Sequence, residues 1–125
     1  MTLILIAGFG LRASADLPSL ESAFGKASKE HQISVLAAPA DKCDHPALVE
    51  FARLNNLPLM AVDEEIMMTM HTPTQSVVVR KRRQIGSVAE AAALGLFMGP
   101  ARLICVRQIS DDRRAVCAIA EGENM

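Results

Sequence analysis

The sequence has no tryptophan and no tyrosine, and only four of its 125 residues are phenylalanine. Stacking of nucleobases on aromatic platforms therefore has almost no material to use. Charge of one sign is equally scarce, since 13 basic side chains offset 14 acidic ones for a net charge of -1, which excludes a general polyanion-binding surface. No apolar run approaches the roughly 20 residues of a membrane span. The opening Leu3-Ile4-Leu5-Ile6-Ala7 is too short for an export signal and has no basic stretch before it. Neither nucleic acid nor membrane is expected as a partner, and the expected compartment is the cytoplasm. Cys43, Cys105 and Cys117 form no CxxC pair, so free thiols are expected rather than a disulfide framework. There is no internal repeat, low-complexity segment or linker, and residues 1–125 are expected to form one domain.

What is abundant is aliphatic. Half the residues are hydrophobic, so the core must be built from Ala, Val, Leu, Ile and Met. The clearest local instruction is Gly86-Ser87-Val88-Ala89-Glu90-Ala91-Ala92-Ala93-Leu94. Ser87 is expected at a helix N-cap, bonded to the Glu90 amide, with the Glu90 carboxylate reaching back to complete a capping box. The alanines combine high helix propensity with little bulk, so a sheet can approach closely. Gly99-Pro100 is expected to stop this helix. Its start presents amides that either serve capping alone or hold a carboxylate or phosphate.

Thr2 to Ala7 predicts a strand covered on both faces, ended by Gly8-Phe9-Gly10 and followed by a glycine loop. Gly8, Gly10 and Ala13 match the permissive G-x-G-x-x-A fingerprint. The chain is too short for both mononucleotide halves, however, and no acidic residue ends the second strand at the expected spacing. The loop either turns the chain or, with Arg12 and Ser14, binds a carboxylate. Pro18 to Ser28 has helical spacing, and Ile33 to Ala38 predicts a second strand ending at Pro39.

Asp41-Lys42-Cys43-Asp44-His45 then lies between a strand and a helix, where open α/β sheets place their ligand sites. It is either a solvated, capped loop or a polar ligand site with Lys42 as its cation. No metal site is expected, because the His, Cys and two Asp are nearly consecutive and do not readily converge on one ion. A Cys43–His45 nucleophile pair meets the same geometric objection. Ala47 to Leu54 is helical and closed by Asn55-Asn56. Leu57 to Val62 predicts a third strand, and Asp63 caps a helix whose Met67, Met68 and Met70, followed by His71, read as core rather than as a soft-metal set. Thr72-Pro73-Thr74-Gln75-Ser76 breaks the chain, and Val77 to Arg83 favours a short helix carrying the basic run Arg80-Lys81-Arg82-Arg83. Arg102 to Val106 and Ala115 to Ala120 predict an antiparallel hairpin turning at Ser110-Asp111-Asp112-Arg113. Pairing centred near Asp111 places Cys105 close to Cys117, and the tail from Glu121 to Met125 is expected to be loose. The expected fold is a single three-layer α/β/α domain with a mixed, mostly parallel sheet ending in that hairpin.

These stretches together resemble the CobE and CbiG C-terminal domain family of cobalamin biosynthesis. The carriers are Gly8-Phe9-Gly10-Leu11-Arg12-Ala13-Ser14, Asp41-Lys42-Cys43-Asp44-His45, Thr72-Pro73-Thr74-Gln75-Ser76 and Gly86-Ser87-Val88-Ala89-Glu90-Ala91-Ala92-Ala93, with Ala118-Ile119-Ala120 near the end. The chain looks like the stand-alone CobE form. His45 stands where the family usually has Glu, so any role of that glutamate is not carried over. The resemblance implies a protein of corrin-ring biosynthesis that binds a precorrin or hydrogenobyrinic-acid-type small molecule as accessory or carrier, with other pathway enzymes as further partners. No cofactor is implied. Gly8, Gly10, Arg12, Ser14, Lys42, Ser76, Gly86 and Ser87 are the expected ligand-binding residues. The alternative is a cobalt-precorrin-5A hydrolase-type delactonase in which His45, Asp41 or Glu90 activates water for attack on a ring lactone. A small nucleotide-binding module using the glycine loop and the basic run is a third reading.

Overall fold

A computed structural model describes residues 3–70 and 87–125. In chain order these form β1 (Ile4–Leu11), α1 (Leu17–Ser28), β2 (Val35–Pro39), a single 3-10 turn (Ala40–Lys42), α2 (Pro46–Leu54), β3 (Leu59–Val62), α3 (Glu64–Met68), α4 (Val88–Gly95), β4 (Ala101–Ile109) and β5 (Ala115–Gly122). The five strands make one sheet in the order β3-β2-β1-β5-β4. β1, β2 and β3 are parallel, whereas β5 runs antiparallel to both β1 and β4. This is the expected mixed sheet closed by an antiparallel hairpin.

Each inner strand divides its apolar residues between two cores, as the period of two requires. Ala7 and Phe9 of β1 and Leu36 and Ala38 of β2 join Leu20 and Ala23 of α1 and Leu48 and Phe51 of α2. Ile6, Val35 and Ala37 face the other way, against Met67 of α3 and Ala91 and Ala92 of α4. Helices therefore cover both faces. The few aromatics are concentrated: the rings of Phe9, Phe24 and Phe51 lie with centroids 5.2–6.2 Å apart in the first core, where edge contacts add about 0.5–1.5 kcal/mol each beyond burial. Met67 is fully buried in the second core, which agrees with the packing reading of that methionine.

Several expectations are corrected. Gly8-Phe9-Gly10 does not end β1. The strand continues to Leu11, with Gly8 opposite Ala118 and Gly10 opposite Val116 on β5. Gly8 is where α4 lies against the sheet. A Cβ there would stand 2.2 Å from the Ala89 carbonyl oxygen and 2.3 Å from the Ala93 nitrogen, so the glycine serves close backbone approach rather than a loop. α4 ends at Gly95 with Leu96 as C-cap, before Gly99-Pro100. Gly95 packs tightly there, since a Cβ would meet Val62 at 2.6 Å. Only half of the expected capping box forms at α4: Ser87 Oγ accepts from the Glu90 amide at 3.3 Å, but Glu90 Oε2 accepts from the Arg107 amide of β4 at 3.0 Å. A reciprocal box stands instead at α1, between Asp16 and Ser19. Asp63 occupies the N-cap position of α3 without a side-chain bond.

The hairpin turns where expected, with Arg113 at φ 62°. Ile109 pairs with Val116, however, so the hairpin is centred past Asp111, and Cys105 stands opposite Ile119 and Cys117 opposite Gln108. The two thiols are therefore not direct partners, and all three cysteines are free. Cys117 is fully buried, and burial, helped by the nearby Cys105, pushes its thiol well up from the usual range. Val77 to Arg83, the basic run within it, His71 and the Thr72 to Ser76 stretch lie outside the described residues. Among the described residues no helix is long and apolar enough to cross a membrane.

Candidate functional site

The topology sends three chain segments to one edge of the sheet. β1 and β2 are parallel, so the loops after Leu11 and after Pro39 emerge side by side. Because β5 is antiparallel to β1, with Leu11 opposite Ala115, the β4–β5 turn reaches the same edge. The start of α4 comes there too, on the opposite face, with Val88 against Gly10.

An open cleft of about 660 Å³ separates the first two loops. Ala13, Ala15 and Asp16 line one wall, and Asp41, Lys42, Asp44, His45 and Ala47 line the other. Pro39 closes β2 and the 3-10 turn Ala40–Lys42 follows, which lifts Asp41 and Lys42 onto the rim. Lys42 is half-buried and makes no ion pair among the described residues. Cys43 points inward and lies 3.6 Å from the Ala38 carbonyl. Burial, then the neighbouring Asp44 and Asp41 carboxylates, raise its thiol, so it is a poor nucleophile.

Pro46 is the first residue of α2, as its fixed φ favours, and His45 is the N-cap. Its Nδ1 accepts from the Ala47 amide at 3.2 Å. Its Nε2 lies 3.0 Å from the Ala13 carbonyl, across the cleft. Both ring nitrogens are therefore engaged. On the facing wall Asp16 caps α1 through Oδ1, which accepts from the Ser19 amide at 3.1 Å. Arg12 and Ser14 lie on the same loop, exposed.

Glu90 does not join this group. It belongs to α4, on the far face of the sheet, and is fully buried, with its carboxylate on the Arg107 amide. Ser87 is nearly fully buried at the head of that helix. Gly8 and Gly10 are inside β1, and Ser76 and Gly86 lie outside the described residues. Asp41, Lys42 and His45 thus come together beside Arg12 and Ser14, whereas Ser87 and Glu90 are divided from them by the sheet. No group of three or more His, Cys, Asp or Glu side chains placed to hold a metal occurs among the described residues.

The sequence reading overlooked Arg114. Its carbonyl accepts from the Arg12 amide at 2.9 Å, and its Nη1 donates to the Ser14 carbonyl at 3.4 Å. The turn that carries it is anchored to α1: Ser19 Oγ lies 2.5 Å from Asp112 Oδ2, and Lys26 Nζ meets Asp111 Oδ1 at 2.8 Å. Hydrogen bonds from Ser110 and Ser19 hold the Asp112 carboxyl down at about 2. The signal was available, because antiparallel pairing of the last strand with the first would have brought this turn to the site.

The family model described as Cobalamin synthesis G C-terminus matches residues 5–120. The chain is similar to the crystal structure of CobE, from the cobalamin (vitamin B12) biosynthetic pathway, with a TM-score of 0.87, 27% identity, and coverage of 100% of this chain and 94% of that one. It is also similar to cobalamin biosynthesis protein chiG from Agrobacterium tumefaciens str. C58, with a TM-score of 0.71, 27% identity, and coverage of 94% and 97% respectively. A cobalamin biosynthesis protein G homologue from Sulfolobus solfataricus shares the fold at a TM-score of 0.70 and 19% identity, over 98% of this chain and 38% of that one. No curated protein matches. With its family model spanning all but the ends of the sequence, the chain belongs to the cobalamin synthesis G C-terminal family and so to cobalamin biosynthesis.

Proposed function

We propose that the protein binds a precorrin or hydrogenobyrinic-acid-type intermediate as an accessory or carrier, and that the cleft between the Arg12–Asp16 and Asp41–Ala47 loops receives one edge of the macrocycle. The observation that carries this reading is Lys42, a half-buried cation on the rim with no ion pair among the described residues, in a cleft at the carboxyl edge of the parallel strands. A corrinoid edge bears carboxylate side chains, and an ammonium is a natural partner for one of them. Asp16, Asp41 and Asp44 share the cleft. They favour a ligand that presents a single carboxylate to Lys42 over one that crowds several into the same space. Arg12, exposed on the same loop as Ala13 and Asp16, is the proposed partner for a second.

Binding is favoured over hydrolysis because none of the candidate bases His45, Asp41 and Glu90 is without a partner. His45 uses both nitrogens, and Glu90 is buried on the far face with an amide on its carboxylate. The nucleotide reading loses its glycine loop, since Gly8 and Gly10 stay in the sheet.

The test is gel filtration of the protein mixed with hydrogenobyrinic acid or late precorrins, following pigment absorbance and mass. Pigment should co-elute unchanged. Lys42→Ala should weaken binding about tenfold or more, the loss of one charge-assisted hydrogen bond. Absence of co-elution would refute the proposal, and release of a two-carbon fragment from a lactone intermediate would replace it with the delactonase reading.

A further inference from the structure

We infer that His45 is a positioning residue, a strut whose neutral ring holds the two walls of the cleft at their working separation. The Ala47 amide can only donate, so Nδ1 must be unprotonated to accept from it. The Ala13 carbonyl can only accept, so Nε2 must carry the proton. Two fixed partners of opposite kind thus assign one tautomer from the hydrogen-bond network. Ala13 and Ala47 both line the cleft, so the ring joins the end of the β1–α1 loop to the first turn of α2.

The strut is sensitive to protonation. A second proton would go to Nδ1, set an N–H against the Ala47 amide, and place a cation at a helix start, where the dipole favours anions. The charged and polar groups around the ring are Asp41, Asp44 and Lys42 on its own loop, Asp16 across the cleft, the α2 amides, Arg12 on the facing loop and Arg114 on the adjoining turn. Once the ring is doubly protonated the cap on α2 is lost, the hold on Ala13 weakens, and a ligand that touches both walls loses its preformed fit. Only this last step rests on the corrinoid-binding reading.

The experiment separates strut from cap. His45→Asn keeps a strong N-cap residue but is too short to reach Ala13. His45→Glu can also cap α2, yet it turns a carboxylate towards the Ala13 carbonyl. Both variants should remain folded by circular dichroism and bind hydrogenobyrinic acid up to about tenfold more weakly, the value of one lost preorganising hydrogen bond. In the parent, ring 15N shifts should place the proton on Nε2, and affinity should fall in step with His45 protonation followed by the same signals. Equal affinity of the parent and His45→Asn, or a proton on Nδ1 in the neutral ring, would overturn the inference. If the parent binds no pigment, the corrinoid reading fails separately. The strut is then judged by the ring tautomer and by exchange of the Ala15 amide, which bonds to the Arg12 carbonyl and must exchange faster in His45→Asn.

Discussion

Replacing Gly8 by alanine puts one methyl group where two backbones meet. β1 is held between β2 and β5, so α4 must give way. The new Cβ would lie 2.2 Å from the Ala89 carbonyl oxygen, 2.3 Å from the Ala93 nitrogen and 2.8 Å from the Ala93 Cα. Ordinary contact begins at 3.4 Å, so the helix must retreat by roughly 3.4 − 2.2 = 1.2 Å. A gap of that size forfeits about a quarter to a half of the dispersion energy of the atoms on either side, here Ala91 and Ala92 against Ile6, Val35 and Ala37. Overpacking costs about 1–3 kcal/mol when flexible side chains absorb it. With backbone as the obstacle, a loss of about 3 kcal/mol is expected, a large fraction of a total of about 5–15 kcal/mol. Gly25→Ala is the matched control, since its Cβ meets nothing within 4 Å in the interior of α1, and it should stabilise by about 0.5–1 kcal/mol. Urea unfolding should show the Gly8→Ala midpoint lowered, the Gly25→Ala midpoint raised, and the slopes unchanged. A Gly8→Ala midpoint equivalent to within about 0.5 kcal/mol of the parent would show that α4 is not seated on this strand as described.

Two further substitutions probe the contacts that hold β4 and the β4–β5 turn in place. Glu90→Ala removes the acceptor of the half-buried Arg107 amide and should cost about 1–3 kcal/mol in urea unfolding, while Glu90→Gln, which keeps a carbonyl oxygen, should recover most of it. Equal losses in the two would point to the charge rather than the acceptor. Asp112 is held at about 2 against an ordinary value of 3.8, so its contribution is present above the ordinary value and is lost as pH falls from there through about 2. Asp112→Asn should therefore flatten the acid limb of the stability–pH curve over that interval. An unaltered limb would mean that the Ser110 and Ser19 hydrogen bonds do not set this carboxyl.

Much of the fold was legible because its signals are local. The strands β1 and β2 are continuous apolar runs, as strands covered on both faces must be, and the Ser110 to Arg113 turn fixed the hairpin. What escaped was pairwise. A glycine inside an apolar run reads as its end when only neighbours in sequence are considered, so Gly8 and Gly10 seemed to close β1. The meaning of Gly8 lies eighty residues away, in the alanines of α4, and that of Gly10 in Val88 and Val116. A strand lacking a side chain and a helix face lacking bulk are two halves of one contact. The hairpin register failed at the turn: Ile109 pairs with Val116, so the hairpin is centred between Asp112 and Arg113 rather than near Asp111, and Cys105 falls opposite Ile119 instead of Cys117.

The site was legible to the same depth and no further. That Lys42 and His45 would follow a strand and precede a helix was plain from Pro39 and Pro46, and a cleft at that edge follows from parallel pairing with β1. What local reading could not assign was which donors and acceptors were already occupied. An Asp–Lys–Cys–Asp–His run looks reactive until its partners are known. His45 then proves to be a cap and a tie, and Cys43 a half-buried thiol. A general base needs a lone pair left over after folding has taken its share. The His45 ring has none left, whereas Lys42 makes no ion pair among the described residues. On the proposed reading this rim recognises an anionic group, and the imidazole beside it, with both nitrogens engaged, serves as a tie rather than a base.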